Sequence, residues 1–189
     1  FFSSDNGPSR EARNWLDGNK DHYYGGTAGI FRGHKGSIYE AGFREPTIIS
    51  FPGRIPEGQV CGHVGAMFDV LPTFFDFAGI DLPNDLEIDG KSVVQTVTEG
   101  LDSPHHQLFW EYAASQTAVR QGKWKLTVNG RDDNKAGLQP RDPDLPEQVN
   151  LADLREDPGE REDLSDQFPE VKEQLLSDLR SWSKELEAQ

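Results

Sequence analysis

The sequence predicts an α/β region followed by a small α+β subdomain, in which an antiparallel sheet is covered by a terminal helix. Three observations carry this reading. A short β-branched run, Thr47-Ile48-Ile49-Ser50-Phe51, is closed by Pro52-Gly53 and followed by an amphipathic helical segment. Strand-like runs between residues 107 and 128 are separated by the turn Gln121-Gly122-Lys123. The last stretch, Pro169 to Glu187, repeats its apolar residues at helical spacing. The character of the chain changes around Asp102-Ser103-Pro104, which divides it into residues 1–103 and 104–189.

Taken in order, Phe1-Phe2-Ser3-Ser4-Asp5 reads as the end of a buried strand, and a chain opening in mid-strand points to a preceding segment. From there to about Pro46 the chain is rich in glycine and turn formers, with Asp5-Asn6-Gly7-Pro8 and Tyr23-Tyr24-Gly25-Gly26 as punctuation. Such density of glycine fits backbone wrapped around a site. Thr47–Phe51 reads as a buried strand. Met67 to Ala78 reads as a helix stopped by Gly79, with Val70, Leu71, Phe74, Phe75 and Ala78 as its apolar face and Pro72 in the first turn. Residues 81–90 read as a loop. Gln107–Tyr112, the two halves of Thr117–Val128 and Val149–Leu154 read as strands, with the polar stretch Asn129–Pro146 as a long exposed loop. The final helix starts on proline and carries Val171, Leu175, Leu179, Trp182 and Leu186 as its buried stripe.

Composition bounds the function classes. The chain has 189 residues, and although only 34% are hydrophobic, 10% are aromatic, enough bulk for a packed core. A net charge of -14 argues against nucleic acid or an anionic membrane as partner, because both need a basic surface. Any anionic substrate must be met by a local basic pocket. A lone cysteine, Cys61, excludes an internal disulfide framework and a CxxC metal site. No apolar run is long enough to span a membrane.

Two stretches could carry chemistry. Asp5 and Asn6 set a carboxylate beside an amide oxygen at a strand end, a hard-oxygen pair suited to Ca²⁺ or, less well, Mg²⁺; an ordinary Asx turn uses the same residues. In Arg32-Gly33-His34-Lys35-Gly36, glycines on both sides would let the Lys35 ammonium approach an oxyanion closely, and His34 could touch the same ligand; a solvated surface turn is the alternative. Arg10, Arg13 and Trp15 lie between the two stretches and are candidates for a substrate rim. His105-His106 has half the ligands of a metal site, without a carboxylate or cysteine at suitable spacing.

Together, Asp5-Asn6-Gly7-Pro8, Arg32-Gly33-His34-Lys35-Gly36, Tyr39-Glu40-Ala41-Gly42-Phe43-Arg44-Glu45-Pro46 and Asp69-Val70-Leu71-Pro72-Thr73 resemble the sulfatase family of the alkaline-phosphatase-like superfamily. The resemblance continues, in the family's order, through Ala118-Val119-Arg120-Gln121-Gly122-Lys123-Trp124-Lys125-Leu126, Asn150-Leu151 and Asp157-Pro158-Gly159-Glu160. It implies that residues 1–103 are the later part of an alkaline-phosphatase-like sheet and residues 104–189 the C-terminal subdomain. It further implies that Asp5 and Asn6 are Ca²⁺ ligands and that Lys35 contacts the sulfate ester near its leaving oxygen. Arg44 and Glu45 would form ion pairs behind the site, Asp69 and Thr73 would brace their helix, and Lys123-Trp124-Lys125 would serve sheet packing.

The family's nucleophile is a formylglycine made from a Cys/Ser-x-Pro-x-Arg motif, and Cys61-Gly62-His63-Val64 does not fit it. The resemblance therefore places the nucleophile upstream of this chain, where a hydrated aldehyde would attack the sulfur and later release sulfate by collapse of the hemiacetal. The implied partner is a sulfated small molecule or glycan, and the implied compartment is periplasmic or extracellular. The rival readings are a phosphatase or phosphonate hydrolase of the same superfamily, and a non-catalytic binding or assembly module. Alone, the chain would expose apolar surface where the missing part packs, and is expected to self-associate.

Overall fold

The computed structural model describes residues 1–9, 25–113, 115–132 and 145–188. Its contacts group residues 2–47 with 107–189 in one compact unit and residues 48–106, with Phe1, in another. The opening glycine-rich segment thus clusters with the C-terminal sheet, whereas the composition of the chain groups it with residues 48–103. No helix among the described residues is long and apolar enough to cross a membrane.

Strands β1 (Phe2–Ser3) and β2 (Thr47–Ile48) form a two-stranded ribbon, with the Ser3 and Thr47 hydroxyls 3.0 Å apart. The sequence predicts both runs to be buried. Instead Phe2 is 66% and Ile48 63% exposed, and the strand at Thr47 stops after two residues. A ribbon of two strands has no third strand or covering layer to bury its side chains, whatever their apolar content. Between the strands lies a helical turn, α1 (Glu40–Phe43), too short to show a helical period in the sequence.

The second unit holds α2 (Val70–Ala78), entered through a 3₁₀ turn at Met67–Asp69, and α3 (Val94–Glu99). Gly79 ends α2 in the left-handed conformation, φ 67°, donating its N–H to Asp76 O, as the stop signal predicts. The buried face differs from expectation: Pro72 and Thr73 are buried, while Leu71 is 46% and Phe74 50% exposed. Polar contacts select that face. Asp69, 3% exposed, accepts the N–H groups of Ala66 and Lys91 and meets His105 Nε2 at 2.7 Å. Thr73 donates to Asp69 O and accepts the N–H of Val93. Asp69 and Thr73 therefore brace the helix, as the motif implies. Helix α3 escapes the sequence pattern because Val94 and Val97 are β-branched and favour strands. Its signals are Ser92, whose hydroxyl accepts the Val94 N–H, and the left-handed Gly100 at its end.

The C-terminal sheet is antiparallel in the order β3 (Leu108–Tyr112), β4 (Gln116–Gln121), β5 (Trp124–Val128), β6 (Val149–Asp153), with α4 (Pro169–Glu187) packed on one face. The β4–β5 connection is the tight turn at Gly122-Lys123, with Gln121 opposite Trp124 and Gly122 at φ 56°. Val119, Leu126, Val128 and Leu151 meet Leu175, Leu176 and Leu179 of α4 in the core, and Phe109 stacks on Trp182 at 5.2 Å. The predicted stripe of α4 holds except at its end, where Leu186 is 44% exposed and Leu176 is buried in its place.

The other face of the sheet is also covered. Because side chains alternate along a strand, the neighbours of the core residues point the opposite way. Arg120, Lys125 and Trp110 meet the segment around α1: Trp110 stacks on Phe43 at 4.6 Å, and Lys125 Nζ lies 4.6 Å from the same ring. Lys125 is fully buried, with Nζ 3.0 Å from Glu40 Oε1 and 2.9 Å from Glu160 Oε1. The expectation that Lys123-Trp124-Lys125 serves sheet packing is thus corrected for Lys125, which is the centre of a buried ion cluster. Glu40 Oε2 also faces Arg44 at 3.2 Å and Arg120 at 3.8 Å.

Burial pushes both carboxyls up. At Glu40 the charges of Lys125, Arg120 and Arg44 outweigh it and hold the group below its usual range. At Glu160 burial and the neighbouring Glu40 charge prevail over Lys125, and the group is raised.

Core and ion cluster each have a measurable effect on stability. Leu179→Ala opens a cavity under α4 and is expected to cost about 2–5 kcal/mol, measured by denaturant unfolding. Glu40 contributes stability above its unfolded pKa that is lost as pH falls through its lowered folded value. Glu160 contributes stability that is complete below its unfolded pKa and is lost as pH rises through its raised folded value. In thermal unfolding, the Tm deficit of Glu40→Gln against wild type should therefore shrink as pH falls below about 4, and that of Glu160→Gln should shrink as pH rises from about 4 to about 7.

Candidate active-site loop around Lys35

The loop from Arg32 to Gly42 owes its course to short-range geometry. Gly33 and Gly36 adopt φ 94° and 86°, a region costly for any side chain. Ser37 donates its N–H to His34 O at 2.9 Å, and Ala41 returns to Arg32 O at 2.9 Å, so the loop closes on itself. The turn puts His34 inside, 3% exposed with Nδ1 2.8 Å from Lys35 O, and leaves Lys35 exposed. His34 is therefore a support under the lysine in this structure.

The strand-end loop carrying Asp5 and Asn6 is tied directly to the Lys35 loop. Lys35 donates its N–H to Pro8 O at 3.1 Å, and Gly7 donates to Gly42 O at 3.1 Å. The approach requires glycine: a Cβ on Gly7 would fall 1.7 Å from Ala41 O. Two stretches far apart in the sequence thus share one loop pair. Asp5 is exposed, Asn6 half-buried with Nδ2 donating to Gly7 O at 2.9 Å, which leaves its amide oxygen turned from that contact.

Arg44 forms an ion pair with Glu40 and lies over the Phe31 ring at 4.6 Å. Glu45 keeps a buried carboxylate oxygen, Oε1, with no hydrogen-bond partner. Its carboxyl is pushed up by burial and by the negative charge of Asp5. Asp5 and Glu45 thus bring two carboxylates close enough to repel each other. No group of three or more His, Cys, Asp or Glu that could hold a metal exists among the described residues, so any shell built on Asp5 and Asn6 needs further ligands. Arg10, Arg13 and Trp15, the candidate rim, lie outside the described residues.

Sequence reasoning missed the residues that hold this loop from below. Arg32 bonds Asp132 Oδ2 at 2.6 Å and Glu160 O at 3.2 Å, and its guanidinium sits 3.9 Å from the centre of the Tyr39 ring. Glu160 Oε2 accepts the Glu40 N–H at 2.6 Å. Ser37 Oγ donates to Arg131 O at 2.6 Å. Gln116, 1% exposed, bonds Gly36 O, the Ile38 N–H and the Arg131 N–H. The contacts of Arg32, Ser37 and Glu40 span 94 to 128 residues of sequence. The available signal is the presence of Glu40 and Glu160 in two of the family-like motifs; nothing local marks Gln116.

The family model described as N-sulphoglucosamine sulphohydrolase, C-terminal, matches residues 26–187. Arylsulfatase A of Bos taurus is 32% identical over 197 residues, which cover 95% of this chain and 36% of the relative. The solved PsFucS1 sulfatase from Pseudoalteromonas sp. superposes with a TM-score of 0.74 at 23% identity, over 97% of this chain and 36% of that one. A further structure, solved in complex with its substrate D-glucosamine-2-N,6-O-disulfate, gives a TM-score of 0.58 at 23% identity, over 78% of this chain and 29% of that one. The chain thus spans 36% of the length of arylsulfatase A, about a third. With the matched motifs, the four-stranded sheet and its terminal helix, these findings show that the chain belongs to the sulfatase family and corresponds to its C-terminal region.

Proposed function

We propose that the protein carrying this chain hydrolyses sulfate esters, with Lys35 at the leaving oxygen and Asp5 and Asn6 holding part of a calcium site. The observation that carries this reading is the pair of backbone hydrogen bonds joining the Asp5–Pro8 loop to the Lys35 loop. They set hard-oxygen donors and an exposed ammonium on adjoining loops, as a sulfate monoester needs: a cation for its oxygens and a donor for the oxygen that leaves. The disulfated sugar bound by one structural relative supports a sulfated sugar or small molecule as substrate.

Within this chain, each residue has a limited task. Asp5 and Asn6 offer oxygen ligands, and Ca²⁺ bound there supplies charge neutralisation and orientation of the sulfate oxygens. Lys35 donates to the bridging oxygen as negative charge grows on it. His34, held under the loop by its bond to Lys35 O, keeps the lysine's backbone fixed. The nucleophile, a formylglycine in this reading, belongs to a segment outside the 189 residues.

The test uses the full-length protein on sulfate and phosphate monoesters side by side. Lys35→Ala is expected to lower kcat for sulfate esters by roughly 10²–10³-fold while the protein still unfolds cooperatively, since the residue lies on the surface. Undiminished kcat, or faster turnover of phosphate than sulfate, would sink the reading. Calcium chelation should abolish sulfate turnover, and Asp5→Ala should raise the calcium concentration needed to restore it; activity indifferent to both would remove the metal from the proposal.

A further inference from the structure

The backbone of residues 35–38 is gripped from several directions. The Lys35 N–H is on Pro8 O, and Lys35 O faces His34 Nδ1. The Ser37 N–H is on His34 O. Two more contacts come from a single side chain far along the sequence: Gln116 Nε2 donates to Gly36 O at 3.2 Å, and Gln116 Oε1 accepts the Ile38 N–H at 3.4 Å. The same oxygen accepts the Arg131 N–H at 2.9 Å, so the amide also holds the segment that follows β5 as it grips the loop. Gln116 is 1% exposed, and it opens β4, where a side chain on this face points away from the α4 core.

Lysine is a point charge on a flexible four-carbon stem, so its reach is only as defined as the backbone that carries it. Gly36, directly after Lys35, has φ 86° and no side chain to pack, and its carbonyl is oriented by Gln116. We infer that Gln116 is a positioning residue for Lys35: its amide carries the position of strand β4 to the backbone next to the lysine. This rests on the proposed role of Lys35 and extends it to the sheet.

The experiment is a leaving-group series in the full-length protein, from 4-nitrophenyl sulfate, whose leaving group needs little help, to alkyl or sugar sulfates, whose leaving group needs much. Gln116→Met keeps the volume and removes all three hydrogen bonds. Gln116→Glu keeps the acceptor for Ile38 and Arg131 and removes the donation to Gly36 O; it serves where the methionine variant does not fold. Each is expected to lower kcat on the poor leaving groups by roughly 10- to 100-fold, with a smaller loss on 4-nitrophenyl sulfate and little change in KM. In a Lys35→Ala background the same substitutions should add nothing further. Leu179→Ala, which weakens the core without touching the loop, should lower turnover of all esters alike.

If Lys35→Ala shows the leaving-group dependence and the Gln116 variants do not, or if their losses add to that of Lys35→Ala, the positioning role is overturned and the sulfatase reading stands. If Lys35→Ala itself shows no such dependence, the role of Lys35 fails and the inference falls with it.

Discussion

Lys125 is the constraint on which the arrangement depends. A fully buried ammonium is tolerated only when its partners surround it, and here Glu40 and Glu160 do so at 3.0 and 2.9 Å. Those two carboxylates come from distant parts of the sequence, 120 residues apart, and Glu160 also binds the Glu40 N–H. Satisfying one charge thus forces the α1 segment and the Asp157–Glu160 turn onto the same face of β5. The fit is tight enough to hold Glu160 at φ 50°, a left-handed backbone that costs about 1–2 kcal/mol in a residue with a side chain. Such a cluster adds little net stability compared with apolar packing, but removing one member strands the others, so it selects one register of loop on sheet.

The sheet therefore serves two purposes through one alternation. Leu126 and Val128 face the helix and form the core, while Lys125 and Thr127 face the loop side. A strand buried on both faces reads as a run without clear polarity, and β5 is such a strand, carrying a lysine and a threonine at full burial. Sheet, ion cluster and Gln116 then form a rigid floor for a loop whose exposed residue is Lys35. This division would suit the role proposed for Lys35, which needs a fixed base and an accessible side chain.

The asymmetry of the cluster is also chemical. Three cations, Lys125, Arg120 and Arg44, converge on Glu40, whereas Glu160 has Lys125 as its main cationic partner and is crowded by Glu40. The two carboxyls accordingly move in opposite directions from the same starting value. The α1 segment is thus held by a charge that is secure in neutral solution, and the Asp157–Glu160 turn by one more easily neutralised.

Sequence alone determined what depends on local pattern. The turn at Gly122, the helix stop at Gly79, the proline start of α4 and the four strand runs of the C-terminal sheet follow from side-chain period and backbone preference, which neighbours in sequence decide. The order of short motifs also sufficed to place the chain with the sulfatases. Tertiary structure decided what depends on partners far along the chain: that Lys125 is a buried charge held by Glu40 and Glu160, and that Gln116 holds Gly36. It decided burial too, since Phe2 and Ile48 are apolar yet exposed for want of a covering layer among the described residues. Burial and pairing are properties of what comes to lie opposite a residue, and no local pattern encodes that.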